Sequence, residues 1–314
     1  MRYHRRHALG ASLLLALALV AAACGGSSGG GGASPSGSSP AIERGTIVVG
    51  VSGAFAENQL VAEMYAQVLE DAGYTVERQL DLDSRDTGNA ALASGDIDVK
   101  PEYLAFELPD LDPDADTAGT AENVFPRVQA AAEANDLTAL EFSPANSTNV
   151  FVVTPDTANE LGVATMSDLA PVAGDLVLGA PPDCDTNFPC EEGLKEVYGI
   201  EFKEIKKLDF GGPQTVAAID SGAVDVGELF SLDPTITAKG YVVLEDDKVL
   251  QPAGNFFALA RTEILNGEVE DLLNGVTTSL QTDEMVDLVG RVQVDHEDVA
   301  DVAREYLESK GLLG

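Results

Sequence analysis

The chain has 314 residues, of which 53 are acidic and 18 are basic, so its formal net charge at pH 7 is −35. Affinity for nucleic acid depends on Lys and Arg side chains that displace counterions, so this charge excludes a nucleic-acid-binding protein. Apolar residues make up 45% of the chain and charged residues 23%, which is typical of a folded globular protein.

The first 24 residues have the layout of a secretory signal. Three arginines precede an apolar run from Ala8 to Val20, and three small residues then precede Cys24. This order predicts a signal peptide over 1–23. A Cys directly after small residues resembles a bacterial lipobox, so we expect lipidation of Cys24 and an extracytoplasmic protein anchored to the cell membrane. A retained membrane helix is the alternative, but a span needs about 20 apolar residues.

Residues 24–41 are rich in Gly and Ser after the lipidated cysteine, which predicts a flexible tether. The folded part is then expected from residue 42 to residue 314. Within it, Cys184 and Cys190 form an even pair in a Pro-rich stretch. Outside the cytoplasm such a pair predicts a local disulfide, because a metal site would need further soft ligands nearby.

Strands and helices alternate along the folded part. The run 46–53 predicts a buried strand, and 57–72 carries apolar residues at helical spacing up to the stop at Gly73. A strand over 74–80, a helix ending at Ser94 and a strand over 97–99 follow. Further strands are predicted over 149–153, 175–180, 202–208 and 241–246, and helices over 121–135, 156–162, 191–198, 213–221, 265–281 and 296–310. This alternation indicates an α/β protein with mainly parallel sheets.

An internal repeat points to two similar lobes. Residues 90–99 (AALASGDIDV) and 217–226 (AAIDSGAVDV) are identical at six of ten positions. Each copy predicts a helix end, a Ser-Gly stop and a buried strand, followed closely by an acidic and an aromatic residue. Because open α/β sheets bind ligands at the carboxyl ends of their strands, we expect both copies to face one shared cleft. Two-lobed solute-binding proteins close around a small ligand by hinge motion.

Five segments resemble the osmoprotectant (glycine betaine/choline-type) substrate-binding proteins of ABC transporters. They cover most of 46–311 in order and read VGVSGAFAENQLVAEMYAQVLEDAGYTVER, ALASGDIDVKPEY, GAPPDCDTNFPCEEGLKEVYGIEFKEIKKLD, AAIDSGAVDVGELFSLDPTI and LEDDKVLQPAGNF. The resemblance implies a type II periplasmic-binding-protein fold with two α/β lobes. It implies lobe I over 42–149 plus 249–314 and lobe II over 150–248, with crossings near 149–152 and 245–250.

The resemblance also implies positions for the ligand. Family members cage a quaternary ammonium group with several tyrosines, because electron-rich rings attract a cation that donates no hydrogen bond. At the corresponding positions this chain has Phe125, Asn149, Phe230 and Gly254, and it has Phe106 where the family has small or polar residues. The full tyrosine cage is therefore absent, and a larger or less cationic solute would also explain the opened positions.

Other residues are candidates for the same cleft. The backbone N–H groups at Ser52 and Gly53 could hold a ligand carboxylate, although the same residues would also be expected in a simple tight turn. Tyr103 and Phe106 flank a predicted strand end that faces the cleft, where core packing is the alternative. Asp233 is expected to cap a helix, with ligand contact as the second interpretation.

The sequence indicates a binding protein and not an enzyme. The acidic loop 110–116 lacks the glycine and glutamate of a calcium loop, and the mature chain keeps one histidine, His296, with no nucleophile motif beside it. No metal or cofactor is expected. The expected partners are a small solute, a membrane permease and the membrane itself through the lipid, with the protein a monomer. Another amine, a betaine-like thione or an amino-acid-like solute is the alternative cargo, and a lipoprotein sensor or interaction module is the alternative class.

Overall fold

The structure is a computed structural model and describes residues 44–314. The predicted signal peptide over 1–23, the lipidation site Cys24 and the tether up to residue 41 lie outside the described residues. Within residues 44–314, no helix combines the length and the apolar character that crossing a bilayer requires.

The described residues alternate between strands and helices. The strands are β1 (Thr46–Ser52), β2 (Thr75–Leu82), β3 (Val99–Tyr103), β4 (Leu137–Asn146), β5 (Asn149–Val153), β6 (Val177–Ala180), β7 (Glu204–Lys207), β8 (Val226–Phe230), β9 (Val242–Val243) and β10 (Asn255–Arg261). The α-helices are α1 (Ala56–Asp71), α2 (Arg85–Ser94), α3 (Leu104–Leu111), α4 (Ala121–Ala134), α5 (Pro155–Leu161), α6 (Met166–Leu169), α7 (Glu191–Gly193), α8 (Pro213–Asp220), α9 (Pro234–Lys239), α10 (Gly267–Ser279), α11 (Thr282–Gln293) and α12 (Val299–Lys310).

Two five-stranded sheets organise these elements. The first sheet has the order β2-β1-β3-β10-β4, with β1 parallel to β2 and β3 and with β10 antiparallel to both of its neighbours. The second has the order β7-β6-β8-β5-β9, with β6 parallel to β7 and β8 and with β5 antiparallel to both of its neighbours. Each sheet is therefore mixed, where the sequence predicts mainly parallel ones, and helices pack on it as in an α/β lobe.

The chain passes between the sheets twice, along two segments that lie side by side. It leaves the first sheet after Asn146 and returns to it at Asn255. Ser147 N–H donates to the Gly254 carbonyl at 2.9 Å, and Thr148 Oγ1 donates to the Pro252 carbonyl at 3.1 Å. These bonds tie the outgoing segment to the returning one, as expected of two strands that act as a hinge.

The internal repeat corresponds to a repeated structural unit. The carboxylate of Asp98 accepts a hydrogen bond from Val48 N–H at 2.8 Å in the first sheet, and that of Asp225 accepts one from Val177 N–H at 2.8 Å in the second. In each copy the preceding Ser-Gly pair ends a helix through a glycine of positive φ. The same hydrogen bond therefore fixes the start of the equivalent strand in each lobe, near β3 in the first and near β8 in the second.

Most elements predicted from the sequence are present within a few residues, including β1, α1, β5, α4 and α12. The predicted ranges omit the strands β4 and β10 and the helices α3, α6, α9 and α11. The strand predicted over 97–99 instead begins at Val99 and runs to Tyr103. The carboxylate of Asp98 accepts a hydrogen bond from Val48 of β1, and the ladder with β10 begins one residue later, at Val99.

Candidate ligand-binding site

A cavity of about 750 Å³ lies between the two lobes. Its volume is within the range typical of small-molecule sites. The side chains that line it come from both sheets and from the outgoing crossing segment, and include Ser147 and Thr148. We refer to this cavity as the interlobe pocket.

Five aromatic side chains line the interlobe pocket: Phe55, Tyr103, Phe106, Phe210 and Phe230. Four of them lie at or shortly after the carboxyl end of a strand, namely β1, β3, β7 and β8, and Phe106 lies in the first turn of α3. Because these strands run towards the cleft, their ends bring the rings together from both lobes.

The rings form two edge-to-face pairs. The centroids of Phe55 and Phe230 are 6.4 Å apart, and those of Tyr103 and Phe106 are 6.2 Å apart. Behind the pocket, the fully buried Phe256 packs against Tyr103 at 4.9 Å and fixes its orientation. Phe55 and Phe210 are 46% and 58% exposed, and both rings lie at the wall of the pocket.

One buried carboxylate faces the aromatic pocket. Glu57, in the first turn of α1, is 7% exposed and accepts hydrogen bonds from Tyr103 Oη and Ser147 Oγ, each at 3.3 Å. Burial raises the pKa of Glu57, and the hydrogen bonds from its own backbone, Tyr103 and Ser147 oppose that rise only in part. The same burial raises the pKa of Tyr103 well above its usual range.

The guanidinium of Arg85 lines the pocket on one side and belongs to a charge network on the other. Its Nε donates to Glu102 at 3.1 Å and its Nη1 donates to the Phe106 carbonyl at 3.2 Å. Behind it, the buried Lys100 pairs with Glu102 at 3.0 Å and with Glu107 at 3.4 Å. Burial raises the pKa of Glu107 despite these two cations. The network holds Arg85 in a fixed position at the wall.

Two further polar residues line the pocket, one from the outgoing crossing segment and one from lobe II. Asn149, at the start of β5, lines the pocket from the crossing segment. Asp233 lines it as well and also caps α9, because its carboxylate accepts from Thr235 N–H at 2.8 Å. The position of Asp233 is therefore compatible with both interpretations from the sequence, helix capping and ligand contact.

Comparison with known proteins assigns the family. The model of the substrate-binding domain of the ABC-type glycine betaine transport system matches residues 45–309. The chain belongs to this family.

Individual relatives agree with the match. The glycine betaine-binding protein YehZ of Escherichia coli is 25% identical over 270 residues, which is 81% of this chain and 88% of the relative. The carnitine transport binding protein OpuCC of Listeria monocytogenes is 28% identical over 279 residues, covering 84% and 86% of the two chains. A crystal structure described as a glycine betaine/carnitine/choline ABC transporter superposes with a TM-score of 0.78 at 25% identity and covers 86% of this chain and all of that one.

These findings confirm the predicted family, the two-lobed α/β fold and the class of function. The chain is a substrate-binding domain of the glycine betaine transport type, and such domains bind small solutes and pass them to a permease. The family is one of transport proteins and not a class of enzymes.

The structure does not bring the Ser52–Gly53 turn into the interlobe pocket. Gly53 N–H donates to the Leu82 carbonyl at 3.1 Å, and Ser52 Oγ accepts from Ala54 N–H at 3.3 Å. The N–H group of Gly53 is therefore already paired, and a side chain at this position would collide with Asp81. The turn joins β1 to α1, and Phe55, just after it, lines the pocket instead.

Phe125 and Gly254, which the resemblance placed in the cage, also lie outside the pocket lining. Phe125 packs against Phe142 at 5.0 Å in a hydrophobic cluster of lobe I. At Gly254 a Cβ atom would lie 1.8 Å from the Ser147 carbonyl oxygen, so the crossing of the two hinge segments requires glycine. Neither position can supply a cage wall in this arrangement.

Among the lining residues that sequence reasoning missed, four have aromatic or charged side chains: Phe55, Glu57, Phe210 and Arg85. A usable signal was present for two of them. Phe55 follows β1 and Phe210 follows β7 at the same sheet edge as Tyr103 and Phe230, so the rule on strand ends would have found both. Glu57 and Arg85 carry no such signal, because charged residues at helix starts are usually solvated.

Cys184 and Cys190 form a disulfide with their Cα atoms 5.1 Å apart. The buried carboxyl of Glu228 lies 3.2 Å from Cys190 Sγ, and the three side chains converge within 4.8 Å. Such a cluster could hold a metal ion only with free thiolates, and both sulfurs are joined to each other. The group is therefore a structural crosslink beside a buried acid.

Proposed function

We propose that the interlobe pocket binds a quaternary ammonium osmoprotectant such as glycine betaine, choline or a related compound. The observation that carries the proposal is the set of five aromatic rings around a buried carboxylate. A quaternary ammonium group donates no hydrogen bond, so it is recognised by ring faces and by a nearby negative charge. Phenylalanine stands at two of the four cage positions, and Phe230, which lines the pocket, keeps the ring face of the family tyrosine.

The two lobes would close over this ligand. We propose the lobe boundaries of the sequence prediction, with lobe I over 42–149 plus 249–314 and lobe II over 150–248. The strands of the first sheet fall within lobe I, and those of the second sheet fall almost entirely within lobe II. Closure about the paired crossing segments would bury the exposed rings of Phe55 and Phe210 and present both lobe surfaces to the permease.

The finer points of location and assembly rest on the sequence. We propose that residues 1–23 are removed, that Cys24 carries the lipid, and that the monomeric domain works on the outer face of the membrane. The small residues before Cys24 and the Gly/Ser-rich stretch after it support this arrangement. The chemistry of the pocket is binding and not catalysis.

Thermal unfolding with a solute panel tests the binding proposal. The panel holds glycine betaine, choline, carnitine, proline betaine, ergothioneine and neutral amino acids. A ligand at 100 times its Kd adds about 2.7 kcal/mol to the free energy of unfolding, which raises the Tm by a few degrees in a domain of this size. A shift with quaternary ammonium compounds supports the proposal. A shift with amino acids alone would overturn it in favour of another cargo.

A further inference from the structure

The interlobe pocket does not offer a matched pair of positive and negative groups to a zwitterionic ligand. A zwitterionic ligand such as a betaine brings its own carboxylate, which needs a cation or free N–H donors in the wall. Among the described residues that line the pocket, Glu57 and Asp233 are acidic and Arg85 alone is basic. The pocket therefore already holds more negative than positive groups before any ligand enters.

Glu57 has no basic partner among residues 44–314. Its carboxylate accepts from the hydroxyls of Tyr103 and Ser147, and no ion pair in the described part of the chain includes it. With only 7% of Glu57 exposed, water cannot replace the missing cation. A buried carboxylate without a counter-ion is costly when ionised, and a ligand cation would remove that cost.

Arg85, by contrast, is already matched. Its Nε lies 3.1 Å from Glu102 and 3.6 Å from Glu107, and its Nη1 donates to a backbone carbonyl. Two carboxylates thus share its positive charge, so it would attract a ligand carboxylate only weakly. The amino end of α8 offers no substitute, because Asp209 accepts from the N–H groups of Gly212, Gln214 and Thr215.

We infer that the pocket selects a quaternary monocation without a carboxylate, the choline type of ligand, over zwitterionic betaines, and that Glu57 is the residue that decides this preference. The inference rests on the proposed function and specifies its ligand class. The aromatic rings would hold the trimethylammonium group, and the Glu57 carboxylate would serve as its counter-ion. A ligand carboxylate would find no such counter-ion, because Arg85 is already paired with Glu102 and Glu107.

Proton release is a consequence that a purely structural role for Glu57 would not produce. Burial favours the protonated form of Glu57 in the empty protein, and a bound cation favours the ionised form. The other titratable or charged groups lining the pocket are Tyr103 from β3, Arg85 from α2 and Asp233 before α9. Choline affinity should therefore rise with pH across the range in which Glu57 loses its proton, and binding within that range should release a proton.

Isothermal titration of the purified protein with choline and with glycine betaine tests the inference. Each titration is run in two buffers of different ionisation enthalpy, which reports the protons released. We expect choline to bind about tenfold more tightly than glycine betaine, a difference expected from one desolvated charge contact. We also expect proton release with choline.

Glu57→Gln keeps the size and the hydrogen-bond acceptor but removes the charge. The variant should bind choline about tenfold more weakly and release no proton on binding, and its affinity for glycine betaine should be unchanged or higher. Glu122→Gln, at an exposed glutamate in the first turn of α4, is the matched control and should behave as the native protein. Because native selectivity and proton release need no variant, the test stands even if Glu57→Gln does not fold.

The experiment distinguishes failure of the inference from failure of the proposed function. If glycine betaine binds as tightly as choline, or if choline affinity is independent of pH and no proton is released at any pH tested, the inference is overturned and the proposed function stands. If no quaternary ammonium compound binds, both are overturned together.

Discussion

Phe55 and Phe230 meet edge to face across the cleft, with their ring centroids 6.4 Å apart. Phe55 follows β1 of the first sheet, and Phe230 ends β8 of the second. A ring pair with one member on each lobe depends on the distance between the lobes. A ligand held by both rings would therefore link the two lobes and favour the closed arrangement.

Removing either ring should weaken ligand binding. We expect Phe230→Ala and Phe55→Ala each to lower the affinity for the preferred quaternary ammonium compound about tenfold, since a desolvated cation–π contact contributes up to about 2 kcal/mol. The free energy of unfolding should change little for Phe55→Ala, because that ring is 46% exposed. Titration calorimetry gives the affinity, and urea unfolding gives the stability.

Phe188→Ala is the matched control for these variants. Its ring is 48% exposed, close to the value for Phe55, and it does not line the interlobe pocket. Affinity should be the same as in the native protein. Equal losses in the control and in Phe55→Ala would show that the ring pair does not hold the ligand.

The repeat explains why the fold could be read from the sequence. The Ser-Gly stops end their helices locally, through the positive φ of Gly95 and Gly222, and local contacts leave a pattern in the sequence. Strands β4 and β10 were missed because their pairing joins residues more than 100 positions apart. Such pairing depends on tertiary contacts that a short window of sequence does not contain.

The site was predicted less completely than the fold, for a related reason. Tyr103 and Phe230 were found because each ends a strand of the repeat. Phe125 and Gly254 were carried over from the family cage, but here Phe125 packs on Phe142, and Gly254 fits against the Ser147 carbonyl. Which ring faces a cavity and which faces a core depends on packing, and position in a motif does not determine it.

The amino-terminal prediction can be tested in cells. Cys24→Ala removes the thiol that we propose to be lipidated, so the protein should move from the membrane fraction to the soluble fraction and lose labelling by a fatty-acid probe. Ser27→Ala, three residues later in the Gly/Ser-rich stretch, should leave both properties unchanged. Membrane association that persists without Cys24 would support a retained membrane helix instead.

Glu228 should make the protein less stable as the pH rises. Burial, together with the charge of Asp183, raises the pKa of Glu228 from its usual value near 4.5 to about 7. Below pH 4.5 the group is protonated in both states, so it imposes no penalty. Between pH 4.5 and 7 the unfolded chain ionises first, and the free energy of unfolding falls by about 3 kcal/mol from this group.

Glu228→Gln isolates that contribution. The stability of the variant relative to the native protein should increase by about 3 kcal/mol between pH 4 and pH 8. Glu57 and Glu107 act in the same direction in both proteins, so the difference between the two reports Glu228 alone. Glu192→Gln, at an exposed position in the same lobe, should show no such trend. Urea unfolding at several pH values provides the measurement, and parallel pH profiles would contradict the assignment.

The close crossing of the hinge segments makes Gly254 the most constrained position near the pocket. A Cβ atom there would lie 1.8 Å from the Ser147 carbonyl oxygen and 2.7 Å from the Ser147 carbonyl carbon, and backbone cannot move aside as a side chain can. We expect Gly254→Ala to lower the free energy of unfolding by about 1–3 kcal/mol, the usual cost of overpacking, and to weaken ligand binding by separating the segments. Gly267→Ala, at the open first position of α10, should change stability by less than about 0.5 kcal/mol. Thermal unfolding with and without ligand measures both effects. Native stability in Gly254→Ala would mean that the two segments are free to separate, and that closure does not depend on their contact.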